Sequence, residues 1–336
     1  MVENSPLITT VIPTFQRPKL LERAIHSALR QSYGNIKVAI FDNNSQDETS
    51  EIVRNIALRD NRVVYFCHPL TIKAPENFLF AFSRITTPYF SVLADDDLLL
   101  PNFYETALAT LNNHPSALFF LGSTIDIDTK GHIIGANASH WKKEFYSPPE
   151  GLFEVISNYF NWTGALFSKG VLKHCSIDSE VKPIDFDFVA RLAARFSFVI
   201  SQTPCALFVS HPNSYSNANK FKLIWPSLVK VASNIERDLQ KKHAKKMHKL
   251  MKAKLKQELV KILVHSIICN KDSEAENVYA ILKREFGISS KISLVYLCKK
   301  YKLTNYLLRI VLKIYQMRKL PIKLRLRKQL SSFMIG

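Results

Sequence analysis

The chain has 336 residues, 47% of them hydrophobic and only 9 of them glycine. That excludes a fibrous or disordered protein and suits one large domain or two ordinary ones. The net charge of +18 lies in the C-terminal third: residues 1–220 carry 19 Lys/Arg against 21 Asp/Glu, residues 221–336 carry 27 against 7, so a break is expected near residue 220.

In chain order, residues 7–13 read as a first strand, rich in β-branched residues and stopped by Pro13. A turn follows, and 19–31 set Leu20, Leu21, Ala24, Ile25 and Ala28 at helix spacing. A second strand (37–41) ends in Asp42-Asn43-Asn44-Ser45-Gln46-Asp47 and leads into a helix over 48–58. A strand over 63–67, a short helix over 76–84 and a fourth strand over 89–94 complete the alternation. Alternating strands and helices imply a parallel sheet with right-handed crossovers, and ligands in such sheets sit beyond the carboxyl ends of the strands. Thr14 and Arg17, then Asp42, Asn44 and Asp47, then Asp95, Asp96 and Asp97 therefore converge on one rim.

The fourth strand is the sharpest signal. An apolar run breaks off into three consecutive carboxylates, Asp95 to Asp97, ahead of Pro101. Adjacent carboxylates repel, so they persist most easily where a cation or polar ligand offsets the charge, and hard cations bridge carboxylates to phosphates. A solvated acidic turn capping the next helix is the plainer account of the same residues.

Beyond Pro101 the pattern gives a helix to about residue 112, a strand over 117–127 and a hairpin partner over 131–135. A linker at 147–151 leads to a helix over 152–159, a short strand over 162–167, a helix over 184–196 with Asp185 in its first turn, and a strand over 199–209 running to His211. From 221 the chain turns into lysine-studded helices: one or two over 224–270, then basic amphipathic segments over 306–317 and 321–330.

These pieces resemble the family 2 glycosyltransferases, inverting enzymes of the GT-A fold. The resemblance rests on Val11-Ile12-Pro13-Thr14-Phe15-x-Arg17, Ala28-Leu29-Arg30-Gln31-Ser32-Tyr33, Asp42 to Thr49, Asn77, and Leu93-Ala94-Asp95-Asp96-Asp97 with Pro101. Further on, Asp185-Phe186-Asp187 with Arg191-Leu192 is similar to the family's Glu-Asp helix, and His211 with Ser214 to its C-terminal histidine. The resemblance implies an α/β GT-A domain, mostly parallel sheet flanked by helices, over 1–220, and leaves 221–336 as an all-helical basic region unlike any family we can name.

It also implies an activity: metal-dependent, inverting transfer of a sugar from a nucleotide-diphosphate donor to a hydroxyl of a glycan or lipid-linked acceptor, in surface polysaccharide or glycolipid synthesis. Pro13, Thr14, Arg17, Asp42, Asn44 and Asp95 would bind the donor. A divalent cation, Mn²⁺ or Mg²⁺, would be held by Asp96, Asp97 and His211. Counting back from Pro101 selects Asp96 as the ligand, whereas a plain Asp-x-Asp reading selects Asp95 and Asp97, and both stay open. Asp185 would be the general base that takes the acceptor proton, with Asp187 as a second candidate. The chain departs from the family in having Ala94 and Ile184 where acidic residues are usual.

Two other classes compete. A nucleotidyltransferase shares such a donor half, but normally has a Gly-rich phosphate loop, and Pro13 to Arg17 contain no glycine. A non-catalytic nucleotide- or nucleic-acid-binding protein is suggested by the basic third. Nucleic-acid modules interleave aromatics with cations, yet Lys241 to Lys256 contain no Phe, Tyr or Trp, which favours an anionic membrane surface and no nucleic acid. The apolar stripes there also suit pairing into a homo-oligomer. Five scattered cysteines without a C-x-x-C pair fit reduced thiols. No secretory signal or apolar run of roughly 18–20 residues is visible, so the expected place is the cytoplasm or the cytoplasmic face of the membrane.

Overall fold

The computed structural model describes residues 7–137, 141–158, 160–210, 220–268 and 271–287. The chain divides into two compact units, the first made of Met1–His211 and Asn234–Leu239, the second of Pro212–Ser233 and Gln240–Gly336.

The first unit opens with β1 (Ile8–Thr14), α1 (Pro18–Leu29), β2 (Ile36–Asp42), α2 (Thr49–Ala57), β3 (Val63–Cys67), α3 (Ala74–Ser83) and β4 (Tyr89–Val92). Proline starts α1 because the first helical residue needs no N–H partner, and Leu21, Ala24, Ile25 and Ala28 form its buried stripe. β1 pairs in parallel with β2 and β4, and β2 with β3. The register sets Thr14 opposite Asp42 and Asp42 opposite Cys67. Polar groups at these strand ends therefore share one edge.

Next come β5 (Leu98–Leu99), α4 (Phe103–Asn113), β6 (Ala117–Asp128), β7 (Ile133–Ala136), β8 (Phe145–Tyr146), α5 (Glu150–Ser157), β9 (Ala165–Ser168), α6 (Ile184–Arg195) and β10 (Ser197–Ser210). Among the described residues the sheet order is β3-β2-β1-β4-β9-β6-β10-β5, with β7 on β6 and β8 on β10. The sheet is mixed. β3-β2-β1-β4 and the β6–β10 pair are parallel, but β9 runs antiparallel to both β4 and β6 and so joins the two halves. The two-residue strands β5 and β8, too short to show any period, escape sequence reading.

Two layers cover the sheet. On one face Leu21, Ala24 and Ile25 of α1 and Phe103, Ala107 and Leu108 of α4 join Ile12, Val38 and Phe120 in one buried cluster. On the other, rings of Phe82, Phe90, Phe167 and Phe188 lie in succession with centroids 5.3, 5.2 and 5.6 Å apart. That row fastens α3 and α6 to β4 and β9, each pair adding about 0.5–1.5 kcal/mol beyond its buried area.

In the second unit, α7 (Lys220–Asp238) contributes all but its last turn, followed by α8 (Lys241–Ile268) and α9 (Asp272–Phe286). α8 buries Met247, Met251, Leu255, Leu259 and Leu263, and its Ser266 hydroxyl donates to Glu274 of α9 at 2.7 Å. The 28 residues of α8 hold nine lysines and one glutamate, and Lys241, Lys242, Lys245, Lys246, Lys249 and Lys252 are exposed. No helix among the described residues is long and apolar enough to cross a membrane. The basic segments expected over 306–317 and 321–330 lie outside the described residues.

Candidate active site

The rim residues do meet. The Thr14 hydroxyl donates to Asp95 Oδ2 at 2.8 Å. Arg17, leading into α1, donates from Nη1 to Asp95 Oδ1 at 3.1 Å and to Asp96 Oδ2 at 2.9 Å. The end of β1 and the turn after β4 are thus locked by an arginine whose side chain is still 28% exposed. Burial pushes the Asp95 carboxyl up to about 6, with the Arg17 charge pulling the other way.

Asp97 is used differently. It is 1% exposed. Its Oδ2 accepts from the Thr163 hydroxyl at 2.6 Å and its Oδ1 from the Val209 backbone N–H at 2.8 Å. Burial, and after it the charge of Asp96, push this carboxyl up to about 8. Thr163 reaches Asp97 because the chain turns sharply at Gly164, whose φ of +85° is natural only to glycine. Asp96 is the least buried of the three.

Asp42, at the end of β2, is also enclosed. Its Oδ1 accepts from the Ser45 N–H at 3.0 Å and hydroxyl at 2.6 Å, and its Oδ2 from the Tyr65 hydroxyl at 2.5 Å. Burial foremost, then the bond to Asp42, holds the Tyr65 phenol well above its usual range. Around it Gln16, Asn44 and Gln46 take left-handed φ values of 55°, 61° and 55°, a conformation asparagine tolerates but one that costs each glutamine about 1–2 kcal/mol. The cost is met by cross-links: Gln16 N–H to Ser45 Oγ at 2.8 Å, and the Asn43 amide exchanging bonds of 2.8 and 2.9 Å with Ile72. Non-glycine residues held this way gather where a rim is shaped in advance for a ligand. A cavity of about 220 Å³ opens here, lined by Asp42, Asn44, Asp47, Arg54, Tyr65 and Cys67 among others.

Pro13 and Asn44 are half-buried on the same rim. Asp185 is half-buried in the first turn of α6. Asp187, two residues on, is 1% exposed, with Arg191 donating to its Oδ2 at 2.8 Å. His211 lies outside the described residues, and among those described no group of three or more His, Cys, Asp and Glu side chains forms a metal cluster. Sequence reading missed Tyr65 and Thr163. The first could have been found by extending the parallel register beside Asp42; nothing local marks the second.

A row of carboxylates and one arginine at the carboxyl edge of a parallel sheet is the observation against which relatives can be weighed. Residues 9–175 match the profile of glycosyl transferase family 2. This part of the chain belongs to that family. The family 2 domain is 30% identical over 115 residues to GalNAc(5)-diNAcBac-PP-undecaprenol beta-1,3-glucosyltransferase of Campylobacter jejuni, covering 34% of this chain and 37% of that enzyme. The chain spans less than half the length of the first curated relatives it matches. Among solved structures, S. aureus TarS 1–349 in complex with UDP-GlcNAc aligns with a TM-score of 0.59 at 13% identity, over 82% of this chain and 91% of that one. A mannosyltransferase from Pyrobaculum calidifontis, in complex with GDP-Man and Mn²⁺, aligns with a TM-score of 0.56 at 14% identity, over 96% and 88%. The family 2 domain therefore has the GT-A type of fold, as its motifs implied.

Proposed function

We propose that the chain is an inverting glycosyltransferase that moves a sugar from a nucleotide-diphosphate donor to a hydroxyl of a glycan or lipid-linked acceptor. The carrying observation is the rim where Thr14 and Arg17 hold Asp95 and Asp96 beside the pre-shaped turn after Asp42. The undecaprenol-linked substrate in the name of the Campylobacter relative supports a lipid-linked acceptor and a part in surface glycan assembly.

Each residue has a task. Asp42 and Asn44 shape the pocket for the nucleoside, and Arg17 faces the diphosphate as a planar donor suited to phosphate oxygens. Adjacent carboxylate oxygens are the donor set that hard divalent cations take, so Asp96 and Asp95 fit a Mn²⁺ or Mg²⁺ ion. When bound, the ion neutralises charge on the leaving diphosphate. Asp97, the most buried of the three and held by Thr163 and Val209 rather than by the rim residues Thr14 and Arg17, acts as the buried anchor of this turn. Asp185 takes the proton from the acceptor hydroxyl as it attacks the anomeric carbon in line. The bond from the anomeric carbon to the nucleoside diphosphate breaks as the bond to the acceptor oxygen forms, so the sugar is transferred with inverted configuration and no covalent intermediate is needed.

Thermal unfolding with UDP, GDP and other nucleoside diphosphates, each with and without Mn²⁺, tests the donor site. A ligand at 100 times its Kd raises stability by about 2.7 kcal/mol, and a shift that needs Mn²⁺ supports the cation. No shift with any nucleotide overturns the reading. Turnover is followed as nucleoside diphosphate released from UDP-glucose, UDP-GlcNAc or GDP-mannose.

The exposed lysines of α8 support a second element, association with an anionic membrane surface. They crowd the amino-terminal half of a helix, where the macrodipole disfavours positive charge, and the helix has no acidic residue before Glu258. Arginine, the residue of planar phosphate recognition, is absent from it. Diffuse attraction to acidic headgroups suits such a face. The intact chain should sediment with anionic vesicles at low salt, come off as salt screens the attraction, and ignore neutral vesicles. Equal binding to both leaves only subunit pairing for these helices.

A further inference from the structure

The last turn of α7 returns to the first unit. Asn234, 1% exposed, donates from Nδ2 to Asp187 Oδ1 and to Asp178 Oδ2, both at 2.9 Å. The other oxygen of Asp187 accepts from Arg191, Nε at 2.8 Å and Nη2 at 2.7 Å. The same guanidinium donates to the Ser176 carbonyl. Four residues after Asn234, Asp238 pairs with Arg195. α7 is thus tied to α6 at both ends of that helix.

The chemistry of the tie is specific. Asp178 lies in the loop entering α6 and Asp187 in its first turn, and two carboxylates so placed repel. A primary amide offers two hydrogens and no charge, so Asn234 serves both while Arg191 supplies the countercharge. Buried ion pairs are a poor source of stability, because apolar residues of the same volume often do as well. What this one provides is a single geometry for the start of α6. Asp185 sits in that turn, two residues before Asp187.

We infer that Asn234 is a positioning residue for glycosyl transfer: by holding Asp178 and Asp187 together it fixes the first turn of α6 and with it the Asp185 carboxylate. The inference rests on the reading of Asp185 as general base. It makes a residue beyond the expected break near 220 part of the catalytic apparatus.

A double-mutant cycle in the full chain tests it, with Asn234→Leu, Asp185→Asn and the pair compared for nucleoside diphosphate release and for nucleotide affinity by calorimetry. Asn234→Leu keeps the branched shape but removes the one amide that Asp178 and Asp187 share. We expect about a tenfold fall in kcat, since small misplacements of a reacting group are costly, with nucleotide affinity unchanged. In the Asp185→Asn background the same change should cost nothing further, because its effect runs through Asp185. Additive losses, or full kcat in Asn234→Leu, overturn the inference while leaving Asp185 as base. Full kcat in Asp185→Asn overturns both. Should Asn234→Leu not fold, Asn234→Gln, which keeps the amide but moves it by one methylene, is put through the same cycle with the same outcomes.

Discussion

Two of the places where an arginine meets aspartate in the first unit differ in their surroundings. At the strand rim, Arg17 bridges Asp95 and Asp96 with side chains 28% and 12% exposed for the outer pair. On α6, Arg191 and Asp187 are 11% and 2% exposed, and Asn234 closes the remaining carboxylate oxygen. Burial raises the Asp187 carboxyl, against the pull of the Arg191 charge. The same pairing leaves charge within reach of a ligand in one place and seals it in the other. Carboxylates alone therefore do not mark a catalytic residue; access does.

Substitutions can break or sharpen that contrast. The largest expected effect is on Asp185→Asn, which cannot take a proton: turnover should fall about 10²- to 10⁴-fold with nucleotide affinity intact. If rate and affinity fall together, Asp185 is a binding or structural residue. Asp187→Ala should instead strike the fold, since a buried arginine left without its partner costs about 3–5 kcal/mol, seen as a drop of roughly 10 °C in Tm. An unchanged Tm would erase the distinction between the two arginines.

Asp96→Ala should do the opposite of Asp187→Ala. Turnover falls about 10²-fold, as when one preorganised electrostatic group is lost, and the Mn²⁺-dependent part of the nucleotide shift disappears while Tm without ligand stays put. Retained activity with Mn²⁺ absent would remove the cation from the proposal. The smallest effect belongs to Tyr65→Phe, which deletes one bond to Asp42 at a cost of about 0.5–1.5 kcal/mol. Nucleotide affinity should weaken by less than about tenfold, the free-energy range of one such bond. A larger loss would mean that the Tyr65 hydroxyl touches the nucleotide itself.

The sequence by itself determined the first half of the sheet. β1 to β4 follow one another as strand, helix, strand, so period and turn chemistry are local, and parallel pairing brings Thr14, Asp42 and Asp95 to one edge by topology alone. It also determined the helical, basic character of α7 and α8, because lysine and leucine spacing is a property of the single helix. Most later elements from α4 to β10 were legible one by one, a short strand over 162–167 among them, but tertiary structure alone decided how they assemble. β9 inserts antiparallel between β4 and β6, and a strand's own residues name neither its partners nor its direction. That insertion brings Thr163 to Asp97 across 66 positions, and the return of α7 brings Asn234 to Asp187 across 47. Which aspartate is open and which enclosed depends on these distant partners, since burial is set by what packs on a side chain and not by its neighbours in the chain.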